Sequence, residues 1–469
     1  MRARMNILSD EEVRAIDRAS RELLRTTGVN IHNDEALDLF REAGADVSGH
    51  RVRIPAHLFS RALACCTPAM RVYGRDGRPP ITLGGMKSYY GTGGFATQCL
   101  DGETWQYRPV LEEDLVKMAR LYDVLERPHF GITSATPTDV DTSVSDLHEF
   151  RIMATNTRKH LLVQCKGARH LEKMLAMAEV VSGMSREQMR AAPWFSLMIC
   201  ITSPLFMRGE LCELVMAGAR AGVPLIIEAG PMAGATAPAT LAHALVHTNA
   251  ENWAMIILAK LANPEIPFVY ASWSRTFDMK SATVCHGGPE FGLLRMATTQ
   301  MAKYYNLPSG GGGMLTDAKL LDAQYGFEKL STTLLPALAG TNIILGMGLT
   351  ADQDALSLES LVVDQEITQY VDRIVAGIRV DETTTDLAVI ERVGPEGFFI
   401  EEPHTLEHYR EEMWIPRLCD RTPATHGLDM SKKSMLLRTR KQVEKALASW
   451  TPPRMPEDAD ARCREIIEG

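Results

Sequence analysis

No run of apolar residues in this 469-residue chain approaches the ~20 that a membrane-spanning helix needs. Positive charge is also short: 50 Lys and Arg against 59 Asp and Glu leave a formal net charge of −9. A nucleic-acid or anionic-membrane partner would require a basic face, so neither is expected. The N-terminus MRARMNILSDEEVRAIDRAS carries charge but no apolar core, which excludes a secretory signal and implies a cytoplasmic address. The nine cysteines are odd in number and none forms C-x-x-C, so they read as reduced thiols and not as a disulfide framework. Common catalytic signatures are missing too. There is no G-x-S-x-G elbow, no phosphate loop ending in Gly-Lys-Ser/Thr and no H-E-x-x-H. G-x-G-x-x-G does not follow a first strand, which counts against a dinucleotide-binding open sheet.

What is present is a long alternation. Ser9-Asp10-Glu11-Glu12 opens a helix with acidic residues at its positive end. Tyr89 to Tyr107 reads as extended chain folded about Asp101-Gly102. From about residue 110, short apolar runs alternate with amphipathic stretches. Phe130–Ser134, His160–Cys165, Phe195–Ile201, Leu225–Glu228, Phe268–Ala271, Gly311–Leu315 and Asn342–Gly346 are each followed by a helical segment. Seven strand–helix units imply right-handed crossovers and a parallel sheet. The strands end in small or polar residues, as the loops of a TIM-barrel active site do, so an α/β (β/α)8 barrel is expected. The boundaries expected are a mixed α/β region at 1–108, the barrel at 109–380 and a helical extension at 381–469, with a basic amphipathic helix from Lys432 to Leu447.

Aromatic residues are only 6% of the chain, yet Tyr89, Tyr90, Trp273, Phe277 and Tyr325 fall near expected strand ends and loops. Such faces suit a quaternary ammonium, which cannot donate a hydrogen bond but gains roughly 0.5–2 kcal/mol from each cation–π contact. Packing of the barrel wall is the competing reading for each ring. Glu228 is a candidate counter-charge among several acids near strand ends. His286, Arg275 and the backbone of Gly311, Gly312 and Gly313 are candidates for a substrate carboxylate. Asp317 is expected to cap the helix that follows it. His243 with His247, His404 with His408, and Cys285-His286 have zinc-compatible spacing. A quaternary amine has no lone pair to give a Lewis acid, so no metal is expected.

The segment Glu228-Ala229-Gly230-Pro231-Met232-Ala233-Gly234-Ala235-Thr236-Ala237-Pro238 resembles the corresponding stretch of the trimethylamine methyltransferase family. The likeness continues in order through Asn249-Ala250-Glu251, Gly288-Pro289-Glu290, Thr316-Asp317-Ala318-Lys319 and Asp322-Ala323-Gln324, and covers nearly the whole chain. It implies a TIM barrel that demethylates a methylated amine and passes the methyl to Co(I) of a separate corrinoid (cobalamin) protein over the barrel mouth. Founding members carry pyrrolysine. This chain has only standard residues, which resembles the branch that includes glycine betaine:corrinoid methyltransferases and relatives acting on proline betaine, carnitine or γ-butyrobetaine. A quaternary ammonium leaves as a neutral tertiary amine, so orientation and desolvation suffice and no catalytic acid, base or metal is required. Two alternatives stay open: tetrahydrofolate or another acceptor, and a betaine-binding protein without turnover. Gly346 to Asp354 departs from the family pattern where the loop should face the substrate. A homo-oligomer is also expected.

Overall fold

The computed structural model describes residues 3–75, 77–133, 135–423 and 434–469; Ser134 and Lys432 lie outside them. Eight parallel strands close into a barrel: β1 Tyr89–Thr92, β2 Phe130–Ile132, β3 His160–Val163, β4 Phe195–Ile201, β5 Leu225–Ala229, β6 Phe268–Ser272, β7 Ser309–Gly312 and β8 Ile343–Met347. They are neighbours in chain order, and β8 pairs with β1 to shut the ring. The following helices are α1 Glu112–Val124, α2 Ser145–Asn156, α3 Ala168–Ser182, α4 Gly209–Ala221, α5 Leu241–Ala262, α6 Pro289–Tyr304, α7 Ala323–Ala339 and α8 Leu358–Ala376.

Strand alternation sorts the core into two shells. Ile132, Leu162, Met198, Ile226, Val269, Ala271, Ile343 and Leu345 fill the lumen. Tyr89 and Phe130 join them, and Met70, Val72 and Leu83 from the hairpin of Ala69–Val72 with Ile81–Gly84 belong to the same cluster. Each fully buried aliphatic side chain there stabilises the fold by roughly 1.5–3 kcal/mol. The opposite strand faces pack on the helices in a larger continuous core.

The first barrel strand lies upstream of the expected boundary at 109. β1 has only four residues, and the chain then makes an excursion before α1 begins at Glu112. That excursion does contain a hairpin, Gln98–Leu100 with Tyr107–Pro109, folded at Asp101. Asp101 accepts hydrogen bonds from the Glu103 and Thr104 amides, which shapes the turn. Tyr89 and Tyr90 belong to the barrel and not to the hairpin.

Both flanks are tied to the barrel. The helix Asp10–Thr26 begins with a capping box between Ser9 and Glu12 and docks on α5, where Ser20 donates to the Val246 carbonyl at 3.1 Å. At the other end, the helices Met435–Ser449 and Ala459–Glu468 pack along the barrel helices. The Trp450 indole N–H donates to the Asn156 carbonyl at 3.1 Å, and Arg151 pairs with Asp460 at 2.6 Å. No helix of the described residues is long and apolar enough to cross a membrane.

Candidate active site

The lumen changes character in its top layer, one inward position beyond the last apolar side chains. Inward parity continues from Leu162 to Gln164, from Met198 to Cys200, from Ile226 to Glu228, from Ala271 to Trp273 and from Gly310 to Gly312. At the C-terminal face of a TIM barrel this layer is where chemistry is built. Gln164 Nε2 lies 3.9 Å from Cys200 Sγ, and the Cys200 thiol donates to Glu228 Oε1 at 3.1 Å. Glu228 is 1% exposed, and its Oε2 has no hydrogen-bond partner. Burial pushes the Glu228 carboxyl up to about 7, against the downward pull of the Cys200 and Trp273 side chains and of Arg295 and Arg275. Burial, and then the Glu228 carboxylate, push the Cys200 thiol well above its ordinary value, so it is no thiolate nucleophile at neutral pH.

Trp273 is half-buried at the first position past β6 and packs on both the lumen and the outer core. Gly312 makes room for it: a Cβ there would stand 2.7 Å from Trp273 Cε3. His286 sits edge-on to Trp273, with ring centroids 6.4 Å apart, and edge-on to Phe291 at 5.3 Å. Its Nδ1 meets Asp352, and the Gln353 amide lies 3.2 Å from its Nε2. Ala351, Asp352 and Gln353 all have positive φ (52°, 61° and 74°), which strains non-glycine backbone by on the order of 1–3 kcal/mol per residue. The Ala351 and Asp352 amides are held by the Ala318 and Thr316 carbonyls at 2.8 and 2.9 Å, which keeps this turn against His286. Arg275 reaches the Gly230 and Trp273 carbonyls at 3.3 and 3.2 Å and leaves Nε unpartnered; burial lowers its proton affinity, against the pull of the Asp352 and Glu228 carboxylates.

Of the residues expected from sequence, the structure therefore gathers Glu228, Trp273, Arg275 and His286. Phe277 lies farther out, on the strand Arg275–Asp278 of a small three-stranded sheet, facing Gly234. Tyr89 faces the lumen at the opposite end of the barrel, among Phe130, Met70 and Val72. Tyr90 points outward, where its hydroxyl donates to Asp372 of α8 at 2.8 Å. Tyr325, on the first turn of α7, donates to Asp364 of α8 at 2.6 Å. None of these three tyrosines reaches the mouth: Tyr89 starts its strand at the far end of the lumen, strand parity turns Tyr90 outward, and helix face turns Tyr325 toward α8. The glycines are not a free carboxylate cradle either. Gly311 and Gly312 are ladder residues of β7, and the Gly313 amide donates to the Leu345 carbonyl at 2.8 Å.

Asp317 does not cap α7; Asp322 does, accepting from the Tyr325 amide. Asp317 instead accepts from the His286 amide at 3.1 Å and the Cys285 thiol at 3.2 Å. Glu328 holds that segment through Thr316 and the Asp317 amide, at 2.6 and 2.8 Å. The paired histidines stay apart from it. His243 meets Thr240, His247 lies 3.5 Å from Glu251, and the His404 and His408 rings are tilted against each other with centroids 4.4 Å apart. Among the described residues, no group of three His, Cys, Asp or Glu is arranged to hold a metal ion. Sequence reasoning missed Gln164 and Cys200, which only lumen parity marks, and Asp352 with Gln353, whose loop it had singled out.

Comparison with known proteins places this geometry. The family model described as trimethylamine methyltransferase (MTTB) matches residues 1–468. The chain is 34% identical over 462 residues to trimethylamine methyltransferase MttB of Desulfitobacterium hafniense, covering 98% of this chain and 93% of that protein. It is 30% identical over 466 residues to a glycine betaine methyltransferase of the same species, covering 98% and 96%. Its fold is similar to that of the monomethylamine methyltransferase of Methanosarcina barkeri, with a TM-score of 0.54 at 10% identity over 96% of this chain and 89% of the other.

Proposed function

The chain belongs to the trimethylamine methyltransferase family and is a methyltransferase, and from that premise we propose that its substrate is a quaternary amine, glycine betaine first among the candidates. The observation that carries this reading is Glu228: a carboxyl sealed at the top of the lumen, with one oxygen unpartnered, beside the half-buried Trp273 indole. An unsatisfied buried carboxylate oxygen is costly, and a fixed positive charge that cannot donate a hydrogen bond compensates it electrostatically. A tertiary amine binds a proton reversibly, whereas a quaternary ammonium keeps its charge at every pH. The Trp273 face adds a cation–π contact worth roughly 0.5–2 kcal/mol. Arg275, with its unpartnered Nε, and His286, edge-on to Trp273, are the candidates to receive a carboxylate at the other end of the substrate.

The acceptor in this reading is a corrinoid carried by a partner protein over the mouth, whose Co(I) supplies the electron pair that takes the methyl. This chain's part is to bind the cation, exclude water and aim one N–CH₃ bond outward along the barrel axis. The electrons of that bond stay on nitrogen, and the neutral tertiary amine leaves without a proton transfer. No side-chain acid or base takes part in that step. We place the activity in the cytoplasm, where so reduced an acceptor is maintained.

The test is a thermal-shift panel of glycine betaine, proline betaine, carnitine, γ-butyrobetaine, choline and trimethylamine, followed by methyl transfer to Co(I) cobalamin. A ligand at about 100 times its dissociation constant stabilises the folded state by ~2.7 kcal/mol. A betaine response with transfer supports the reading. A response to trimethylamine alone overturns it, and tight betaine binding without transfer to cobalamin or tetrahydrofolate marks a binding protein instead.

A further inference from the structure

Arg295 is a charge that the fold leaves without a bonded opposite. It lies on α6 and is 2% exposed. Its Nη2 donates to Ser272 Oγ at 3.0 Å and to the Ser274 carbonyl at 2.7 Å, while Nε and Nη1 have no partner. The acceptors stay neutral all the way back from it. Thr248 of α5 donates to the Ala244 carbonyl at 2.8 Å, so the Ser274 hydroxyl, 2.5 Å from Thr248 Oγ1, is the donor of that pair. Ser272, 2.8 Å from Ser274, donates in turn and presents its lone pairs to Arg295. The guanidinium carbon stands 5.0 Å over the Phe291 ring. A buried ion that lacks an opposite charge is costly, and an apolar side chain of similar volume often serves stability as well or better. Packing therefore gives no reason for an arginine here.

The reason lies one strand away. Ser272 pairs with Ala229 in the barrel ladder, and the Trp273 amide donates to the Ala229 carbonyl at 2.9 Å, so Arg295 grips the chain beside Glu228. The two side chains share no hydrogen bond, yet each favours the charged form of the other through space. A unit charge keeps that influence where water is excluded. Burial pushes Arg295 down to about 9, which leaves it a cation at neutral pH. The other groups around Glu228 do not replace it. The Cys200 thiol of β4 donates one hydrogen bond but stays neutral, and Arg208 acts on that thiol. The Trp273 indole carries no charge. Arg275 also favours the Glu228 carboxylate but answers to Asp352 first. Glu251 of α5 is bonded to the Ser203 hydroxyl and the Leu205 amide, both at 2.7 Å, and so gives Arg295 no carboxylate. A guanidinium bonded directly to Glu228 would fill Oε2, the oxygen offered to an onium. Set back on Ser272 and Ser274, the same charge supports the carboxylate and leaves that oxygen open.

On the quaternary-amine reading of the site, we propose that Arg295 is a positioning residue for the substrate cation: seated on the β6 exit and set back from Glu228, its charge favours the ionised carboxylate and leaves one oxygen open to the onium. The side chain has two separable parts. Its hydrogen bonds hold the segment that carries Trp273, and its charge serves Glu228.

Two variants of the full chain part the charge from the hydrogen bonds. Arg295→Gln keeps a donor for the Ser274 carbonyl and removes the charge, whereas Arg295→Lys keeps the charge. Glycine betaine affinity is followed by calorimetry from about pH 6 to 8.5, below the range where Arg295 itself gives up its proton. The proton on Glu228 is read separately in the ligand-free protein, from the carboxyl infrared band that Glu228→Gln lacks. Arg295→Gln is expected to move the midpoint of both profiles up by about one pH unit, which lowers betaine affinity at pH 7 up to ~10-fold. Arg295→Lys is expected to leave both midpoints in place. An affinity lost by the same factor at every pH, with the infrared midpoint unmoved, would make Arg295 a structural clamp and overturn the proposal. So would an Arg295→Lys profile that follows Arg295→Gln. An Arg295→Gln chain that fails to fold would overturn it too, because Glu228 can take up a proton and leave the fold no charge to balance. If no onium binds the wild type while the infrared midpoint still moves in Arg295→Gln alone, the quaternary-amine reading falls and the support of Glu228 by Arg295 stands.

Discussion

Replacing Glu228 by Gln isolates the charge on which the proposed site turns. Burial raises this carboxyl from 4.5 to about 7, so the folded protein holds its proton more tightly than the unfolded chain does. The stability linked to that proton is fully present below about pH 4.5 and is lost as pH rises through about 7. A shift of about 2.5 pH units at ~1.36 kcal/mol each comes to on the order of 3 kcal/mol, without discount for screening because the group is sealed from water. Urea unfolding of the ligand-free protein from pH 5 to 8 is therefore expected to show wild type losing on the order of 3 kcal/mol relative to Glu228→Gln. Glu149, also pushed up to about 7 by burial, titrates in the same window but is common to both proteins and cancels. Cation binding runs the other way. Below about pH 7 an onium must displace the proton, so betaine affinity falls by up to ~10-fold per pH unit in wild type and stays flat in the variant. Superimposable stability profiles, or a betaine affinity with the same pH slope in both proteins, would refute the reasoning.

Trp273→Ala is expected to weaken betaine binding about 2- to 30-fold by calorimetry while leaving the fold intact, since it removes one cation–π face at a half-buried site. Tyr90→Phe is expected to do the reverse: about 1 kcal/mol of stability lost with the hydrogen bond to Asp372, and unchanged affinity. A binding defect in Tyr90→Phe would put that ring back in the pocket. The Lys329–Asp364 pair is fully buried, 2.8 Å apart, and pins the Gly346 carbonyl and the Gly348 amide at the end of β8. Asp364→Asn leaves a buried ammonium uncompensated and is expected to cost about 3–5 kcal/mol in urea unfolding. A loss below about 1 kcal/mol would show that the ammonium finds water or gives up its proton.

The barrel was readable because its strands are buried on both faces, which writes them as short apolar runs. Phe195–Ile201 is such a run, and its ends in the structure coincide with those of the sequence. β1 lacks that mark: Tyr-Tyr-Gly-Thr is short, and the hairpin behind it postpones the helix that would have identified it. The aromatic candidates divided for a related reason. Residue type placed all five rings near the site, but strand end and parity decide which ones arrive. Tyr89 begins its strand, Tyr90 has the wrong parity and Tyr325 follows a helix face. Trp273 combines inward parity with a place past the C-terminal end of β6. Inward parity one step beyond the last apolar side chain likewise picks out Gln164, Cys200, Glu228 and Gly312, so the top layer is written in the sequence once the strand ends are known. The turn at Ala351–Gln353 is not written there. Ala and Gln do not signal left-handed backbone, and the turn is held by tertiary partners, the carbonyls of Thr316 and Ala318 and the His286 ring. Where a barrel's catalytic face depends on such a turn, the first residue outward of each strand's last apolar side chain can be found by counting, while the loop that closes over it has to be seen.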